Sequence, residues 1–280
     1  MTEFVPTARG TNIRFPSTAN LYIDSEDRSS GTSSSFTINK PTNILSGFFT
    51  RLAVNEVVLD YAVPNVQAFY GNNTFTVTTT GTGAGTYTVT LPDGNYTVKL
   101  ALDTIVASLN TAIAGADPFS VSTPANGGVF LVVSAGTYAI TPTTLSIQLD
   151  LSDPIVAQAS KQVLDPRILN TKYLDITSQT LTYNQDLKDA STADNVRDVV
   201  YRWYLAWDNE GTYDAYGFPI LQGYKPFIQR RSIAFPKQIK WDNIMPIGQL
   251  GFQVFDSQGD LLFADTGNFE FNMSLLVSEV

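Results

Sequence analysis

The side chains that could do chemistry in this 280-residue sequence are carboxylates, hydroxyls, lysines and arginines, because it contains no histidine and no cysteine. A thiolate zinc site, a cysteine nucleophile, a disulfide framework and a Ser-His-Asp triad are therefore excluded. A glycosidase needs two facing carboxylates. Asp208 and Glu210 beside Trp207 form one such pair, but a hairpin turn explains them equally well. The sequence predicts a protein that is not an enzyme and has no catalytic residue or cofactor.

Three short segments have part of a ligand-binding pattern. Two acidic turns carry oxygen ligands of the kind that Ca²⁺ prefers, namely Asp24, Glu26 and Asp27 in one and Asp256, Gln258 and Asp260 in the other. Neither turn has the full ligand run of an EF-hand loop. The glycine-rich residues 81–85 lack the Lys-Ser/Thr pair of a phosphate loop and link two predicted strands. We therefore expect neither a metal site nor a phosphate site.

Charge is sparse and acidic. Only 15% of the residues are charged, against roughly 25% in typical soluble domains, and the net charge is −9. An acidic chain has no electrostatic reason to follow a phosphate backbone, so we expect no direct nucleic-acid binding. No apolar run approaches the roughly 20 residues that span a bilayer, and the first residues do not form a secretory signal. A polar, weakly charged surface is typical of proteins that pack against neighbours.

Most of the chain has the alternation and turn punctuation of β-strands. The predicted strands cover residues 35–40, 48–63, 173–183, 196–207, 227–235, 250–255 and 269–277. The run 48–63 is too long for one flat strand, so it predicts a bend or bulge. Residues 256–260 predict a hairpin turn. The dense aromatic residues between 203 and 224 are expected in the core and rim of a β-sandwich.

Residues 66–156 have a different texture and predict a compact α+β insertion. A hairpin, residues 74–80 with 86–91, precedes a helix whose apolar residues recur at spacings of three and four from Val98 to Ile113. Asn95 or Thr97 can cap this helix. Strands are predicted at residues 119–122, 129–134, 138–141 and 146–149, and a second helix from Asp153 to about Leu164.

The N-terminal residues 1–34 predict an arm. Residues 24–34 are small and polar and cannot bury enough apolar area to order alone, so we expect them to stay unordered until a partner fixes them. The predicted organisation is therefore an arm (1–34), a discontinuous sandwich (35–65 and 157–280) and the insertion (66–156).

Three stretches resemble the pentons and minor capsid proteins of virophages, polinton-like viruses and related large double-stranded DNA viruses. They are NLYIDSEDRSSGTSSSFTINK (residues 20–40), NNTFTVTTT with YTVTLPDGNYTVKLALDTIVASLN (within 72–110), and SIAFPKQIKWDNI with QLGFQVFDSQGDLLFADTGNFEFNMSLLVSEV (within 232–280). They occur in the family's order along most of the chain. The resemblance implies a mainly β fold, a single jelly roll of two four-stranded sheets with an α+β insertion. Strand count alone would equally permit an immunoglobulin-like sandwich.

The resemblance also implies a function in assembly. In this family the protein forms a homopentamer at icosahedral vertices and contacts the surrounding major capsid protein capsomers. The arm would reach toward neighbours, and the insertion would project outward, where it could meet a host receptor. The location would be the vertex of a virion assembled inside the host cell. A cementing minor capsid protein is the near variant. A receptor- or carbohydrate-binding fibre module and a carboxylate-based hydrolase stay open as other classes.

Five basic residues are the candidates for polar links between subunits: Arg28, Arg51, Arg230, Arg231 and Lys240. The alternative interpretation of each is ordinary solvated surface.

Overall fold

The computed structural model describes residues 18–42, 44, 49–81, 83–114, 118–125, 128–151, 157–182, 189–192, 195–206, 209–240, 247–262 and 269–279. The described chain is mostly β-strand. Its strands, in chain order, are β1 Thr18–Asp24, β2 Ser30–Thr32, β3 Ser35–Asn39, β4 Arg51–Tyr61, β5 Thr74–Thr80, β6 Gly85–Thr90, β7 Phe119–Ser122, β8 Val129–Val133, β9 Thr137–Thr141, β10 Ser160–Val163, β11 Tyr173–Thr177, β12 Asp189–Thr192, β13 Asn195–Arg197, β14 Val199–Tyr204, β15 Asn209–Tyr213, β16 Pro219–Leu221, β17 Phe227–Ser232, β18 Gln238–Lys240, β19 Gln249–Phe255 and β20 Phe269–Ser278. The α-helices are α1 Val98–Ala112, α2 Thr144–Gln148 and α3 Gln179–Thr182, and a 3₁₀ turn covers Gln222–Tyr224.

Two antiparallel sheets form a sandwich. The back sheet has the order β1-β20-β4-β17, with β18 also pairing with β4, and the front sheet has the order β14-β11-β19-β3-β2. Counted along the chain, the eight main strands are β1, β3, β4, β11, β14, β17, β19 and β20. If these eight strands are numbered 1 to 8, the spatial order is 1-8-3-6 in the back sheet and 5-4-7-2 in the front sheet. This is the strand order of a jelly roll and differs from that of an immunoglobulin-like sandwich.

Alternating apolar residues explain how the two sheets close on one core. In β20 every second side chain from Phe269 to Val277 is buried, and in β19 the buried positions are Leu250, Phe252 and Val254. Burial of each large apolar side chain stabilises the fold by roughly 1.5–3 kcal/mol, so these alternations fix which face of each sheet turns inward. The strands predicted at 35–40, 250–255 and 269–277 are therefore confirmed within one or two residues.

The long strand β4 contains the predicted irregularity. Ser274 of β20 lies opposite Glu56, but the next residue, Leu275, lies opposite Val54. Asn55 is therefore the extra residue of a β-bulge, which lets one eleven-residue strand bend along the sandwich. The predicted turn at 256–260 is also present, because an isolated bridge joins Phe255 to Leu261.

The chain between β4 and β11 builds a second buried cluster that runs from Val66 to Leu169. It contains the sheets β6-β5-β9 and β10-β8-β7, and α1 packs on β6 and β7. Thr97 caps α1 by accepting a hydrogen bond from the backbone N–H of Leu100, as predicted. The cluster also takes in Phe218, Leu221 and Tyr224, which come from the connection between β14 and β17. The sandwich and the second cluster are therefore packed together through that connection.

Three local predictions are wrong. Residues 146–149 were expected to be a strand, but α2 covers them because Thr143 and Ser146 form a capping box. Residues 160–163 were expected to be helical, but they form β10 because β8 offers them a pairing edge. The first part of that predicted helix, residues 153–156, lies outside the described residues. The strand expected at 173–183 ends at Thr177, where Ser178 caps α3.

The expected disorder of residues 24–34 is also wrong. β1 pairs with the last strand, β20, over seven residues, and β2 pairs with β3. Ser25 is buried, and its hydroxyl accepts a hydrogen bond from the backbone N–H of Phe271. A sheet edge supplied by distant residues therefore orders a segment that has little apolar area of its own. Residues 1–17 lie outside the described residues, and no helix in the described part is long and apolar enough to cross a membrane.

Candidate functional site

The carboxylates considered for metal binding hold turns in place. The Asp256 carboxylate accepts three backbone hydrogen bonds, from the N–H groups of Gln258, Gly259 and Asp260 at 2.8, 2.9 and 3.0 Å. Burial raises the pKa of Asp256, and these hydrogen bonds act in the opposite direction. The Asp24 carboxylate accepts from the N–H of Glu26 and from the Asn272 amide. Within the described ranges no group of three or more acidic residues is arranged to hold a metal ion. Asp208 and the side chain of Glu210 lie outside the described part.

Three of the five predicted interface residues point outward from the back sheet, and we call this outward surface the back face. Arg230 in β17 binds Glu56 across the strands, with its Nε and Nη2 atoms 2.7 and 2.5 Å from Oε2. Arg51 and Lys240 lie opposite each other where β4 pairs with β18. No side-chain hydrogen bond or ion pair joins either of them to another described residue, so two like charges form a basic end of the back face.

The other two predicted residues have internal roles. The Arg231 guanidinium lies over the Trp203 ring at 4.2 Å and donates to the Gln222 side chain, so within one copy it faces the sandwich interior. Arg28 donates to the Ser25 carbonyl at 2.7 Å and forms a 3.5 Å ion pair with Glu270, which tie the turn after β1 to β20. Charge alone did not distinguish these internal residues from outward ones.

The outward surface of the front sheet, which we call the front face, has a different character. At one end it carries a hollow of about 450 Å³ lined mainly by hydroxyl and amide side chains and backbone, and none of the described residues that line it is charged. Its lining includes Thr37, Thr177, Thr180, Gln249 and Gln253. Gly251 lies in the middle strand of this region, and the nearest atoms to a side-chain carbon placed there are 3.8 and 3.9 Å away. The absence of a side chain at Gly251 therefore leaves the hollow open.

The other end of the front face carries an arginine and two tyrosines. Arg202 binds Asp175 through two hydrogen bonds of 2.6 and 2.9 Å, and Asp175 is fully buried. The guanidinium lies 4.0 Å from the centre of the Tyr173 ring, which meets Tyr204 edge to face. The hydrogen bond to Asp175 raises the pKa of Arg202, so the guanidinium stays charged. Sequence reasoning missed this face, although Gln249, Gly251 and Gln253 alternate visibly with the buried apolar residues of β19.

Buried amides join the sandwich to the second cluster. Asn65 follows β4, and its Nδ2 donates to the carbonyls of Tyr96 and Ile168 at 2.9 and 2.8 Å. Its Oδ1 accepts from the N–H of Tyr96 at 2.8 Å. Asn72 donates to the Asn65 carbonyl, and Gln148 donates to Asn170. Side chains up to 105 residues apart meet here, so no local sequence pattern could have indicated the network.

A second contact connects the same two parts at the surface. Asp214, between β15 and β16, accepts a 3.0 Å hydrogen bond from the backbone N–H of Lys99 at the start of α1. The Tyr216 hydroxyl donates to the Asp103 carboxylate at 2.6 Å, and Lys99 also pairs with Asp103. The connection between β14 and β17 therefore holds the first turns of α1 against the sandwich.

The same architecture occurs in a viral structural protein. The crystal structure of the selenomethionine-labelled mavirus penton protein superposes on 95% of this chain and 100% of that chain, with a TM-score of 0.52 and 12% sequence identity. The chain has the fold of the mavirus penton protein. No family model matches the chain, and no curated protein matches it in sequence.

The likeness confirms the predicted fold class, a jelly roll with an inserted α+β region, and the family resemblance at the level of the fold. At 12% identity the likeness is one of fold and not of sequence. The predicted interface residues are not tested by it.

Titration of tyrosines is expected to set the alkaline limit of stability. Burial raises the pKa of Tyr61, Tyr138 and Tyr224, and burial with the Asp103 hydrogen bond raises that of Tyr216 to about 12. Above about pH 10 these tyrosines ionise in the unfolded chain before they ionise in the folded chain, so the folding equilibrium shifts toward the unfolded chain. The free energy of unfolding should fall there by about 1.4 kcal/mol per pH unit for each buried tyrosine, and by less for the more exposed Tyr216.

Chemical denaturation from about pH 6 to pH 12 tests this expectation. Because the chain has no histidine and no cysteine, the curve should be flat between about pH 6 and 9. A denaturation midpoint that changes steeply between about pH 6 and 9 would contradict the attribution of the pH dependence to buried tyrosines.

Proposed function

We propose that this protein is a structural capsid protein, a penton that forms homopentamers at the icosahedral vertices of a virion. The observation that carries the proposal is the shared fold, which extends over 95% of this chain and the whole of the mavirus penton protein. The front face, where the described lining of the hollow is uncharged and Arg202 is paired with Asp175, fits a protein that spends its lifetime packed against copies and capsomers. The major capsid protein is the proposed partner, and the capsid vertex, assembled inside the host cell, is the proposed location.

We also propose a revised division of the chain. The insertion extends from residue 66 to about residue 169 rather than ending at 156, because β10 pairs with β8 and Ile168 and Leu169 belong to the second buried cluster. The discontinuous sandwich then begins with β1, since this strand pairs with β20. In this arrangement only residues 1–17 remain as a proposed arm toward neighbours. The insertion is proposed to face outward, where a host receptor could reach it.

The mass of the purified protein in solution tests the penton proposal. Light scattering is expected to give a pentamer, and labelled protein in virions should lie only at fivefold vertices. A stable trimer would favour the cementing or fibre interpretation instead. A monomer that binds glycans and does not enter particles would overturn the proposal.

A further inference from the structure

We propose that the front face of one copy binds the back face of the next copy. The inference rests on the proposed homopentamer and specifies the two surfaces that would meet in it. Front and back faces are the opposite outward surfaces of one sandwich, with the main core between them. A contact between two different surfaces is heterologous, so it repeats from copy to copy and closes into a ring when the rotation permits.

The front face has the composition of an interface core. Among the residues that the structure describes, none that lines the hollow around Gly251 is charged, and Arg202 beyond it is paired with buried Asp175. Interface cores are depleted in unpaired charge and enriched in tyrosine and arginine, which here are Tyr173, Tyr204 and Arg202. A neighbour that covers this part of the front face would therefore not bury an unpaired charge.

The back face supplies protruding apolar side chains. Tyr22 in β1 is 69% exposed, and Ile228 in β17 is 74% exposed, at the two edges of the back sheet. Arg230, in the same strand as Ile228, is paired with Glu56, whereas Arg51 and Lys240 lie opposite each other at the other end of β4. These two protruding apolar side chains match a face that has a hollow, since a neighbour can cover each of them without burying a charge of its own.

The dimensions suit a contact that is reinforced by ring closure. The front sheet has five strands, and strands about 4.8 Å apart and about 3.3 Å per residue give a face of roughly 20 Å by 20 Å. With side-chain relief and the turns at its ends, it reaches the lower range of specific interfaces, about 600 Å² per partner. In a closed ring each copy makes two such contacts, which compensates for the modest size of one.

Two substitutions test the pairing of faces on the full chain. Gly251→Arg fills the front hollow, and the 3.8 Å clearance leaves the fold of the single copy intact. Ile228→Lys places a charge on the back face, where Asp60 lies opposite in register and favours it within one copy. Thr88→Arg, on the exposed surface of β6 and away from both faces, is the matched control. Circular dichroism and thermal melting establish that all three variants fold.

Sedimentation of each variant and of mixtures gives the readout. Gly251→Arg and Ile228→Lys are each expected to shift the pentamer to a monomer, and Thr88→Arg to remain a pentamer. An equimolar mixture of the two defective variants should form mixed dimers only, because one copy retains its back face and the other its front face. Since such a dimer has one contact and no ring closure, the mixture is measured at the highest protein concentration that stays in solution. If the wild type is a pentamer and both variants remain pentamers, or if the monomeric variants form no mixed dimer, the face pairing is wrong while the penton proposal stands. A monomeric wild type absent from vertices would overturn the penton proposal itself.

Discussion

Replacement of Arg202 by methionine is expected to lower the free energy of unfolding by about 3 kcal/mol. Asp175 is fully buried, and the guanidinium supplies two of its hydrogen bonds. Methionine keeps much of the side-chain volume over Tyr173 but leaves a carboxylate buried without its cation. The loss is large because it comes from an uncompensated charge and not from the attraction of the pair alone.

Denaturant unfolding at one fixed protein concentration measures this effect, since association adds to apparent stability. Arg230→Met is the matched control, because its partner Glu56 and the arginine itself are on the solvent side of β4 and β17. Exposed pairs contribute about 0–1 kcal/mol, so this variant should change little. The double variant Arg202→Met with Asp175→Leu should recover most of the stability. Equal losses in Arg202→Met and Arg230→Met would refute the role assigned to the buried pair.

Local patterns determined the elements that contact one continuous core. The alternation in β19 and β20, the excess length of β4 and the apolar stripe of α1 each correspond to an element of the structure. In all of these, the side-chain period and the burial of one face point to the same conformation. The jelly-roll order itself is not a local property, and it entered through resemblance to a family.

The errors have a common physical cause, which is pairing supplied by distant residues. Ser160–Val163 and Thr18–Asp24 have weak patterns of their own, but β8 and β20 offer them edges with unpaired backbone groups. The same limit applies to the candidate site. Arg231 and Arg230 are adjacent in sequence, yet one lies on Trp203 and the other pairs outward with Glu56. The two side chains have different roles because they lie on opposite faces of the sheet. The sequence of an edge strand such as β17 does not indicate which of its two faces turns inward.

The low fraction of charged residues in the sequence can be related to the outward surfaces of the two sheets. The described lining of the front hollow is uncharged, and Arg230 of the back face is paired with Glu56, although Arg51 and Lys240 give that face one basic end. Turn carboxylates such as Asp256 and Asp214 are used by backbone N–H groups. Carboxylates such as these therefore stabilise turns, and the front face remains suited to burial.

Replacement of Asn65 by leucine is expected to lower the free energy of unfolding by about 4 kcal/mol and to loosen the insertion from the sandwich. The asparagine side chain is the partner of three backbone groups, the N–H and carbonyl of Tyr96 and the carbonyl of Ile168. Leucine has nearly the same size but no polar atom, so these buried groups lose a partner at about 1–3 kcal/mol each. Both Tyr96 and Ile168 belong to the proposed insertion, whereas Asn65 lies just before it, in the segment that leads from β4 to the insertion. The Asn65 side chain therefore joins the insertion to the sandwich.

Limited proteolysis beside denaturant unfolding separates loosening from general destabilisation. Asn110→Leu is the matched control, since Asn110 makes two comparable bonds to the backbone of Phe119 but lies wholly within the insertion. We expect Asn65→Leu to be cleaved first near residues 62–65 and 170–172, where the two parts are connected, and to unfold with a broadened transition. Asn110→Leu should instead be cleaved within the insertion. If both variants gave the same cleavage pattern, the amide network would contribute stability without fixing how the insertion sits on the jelly roll.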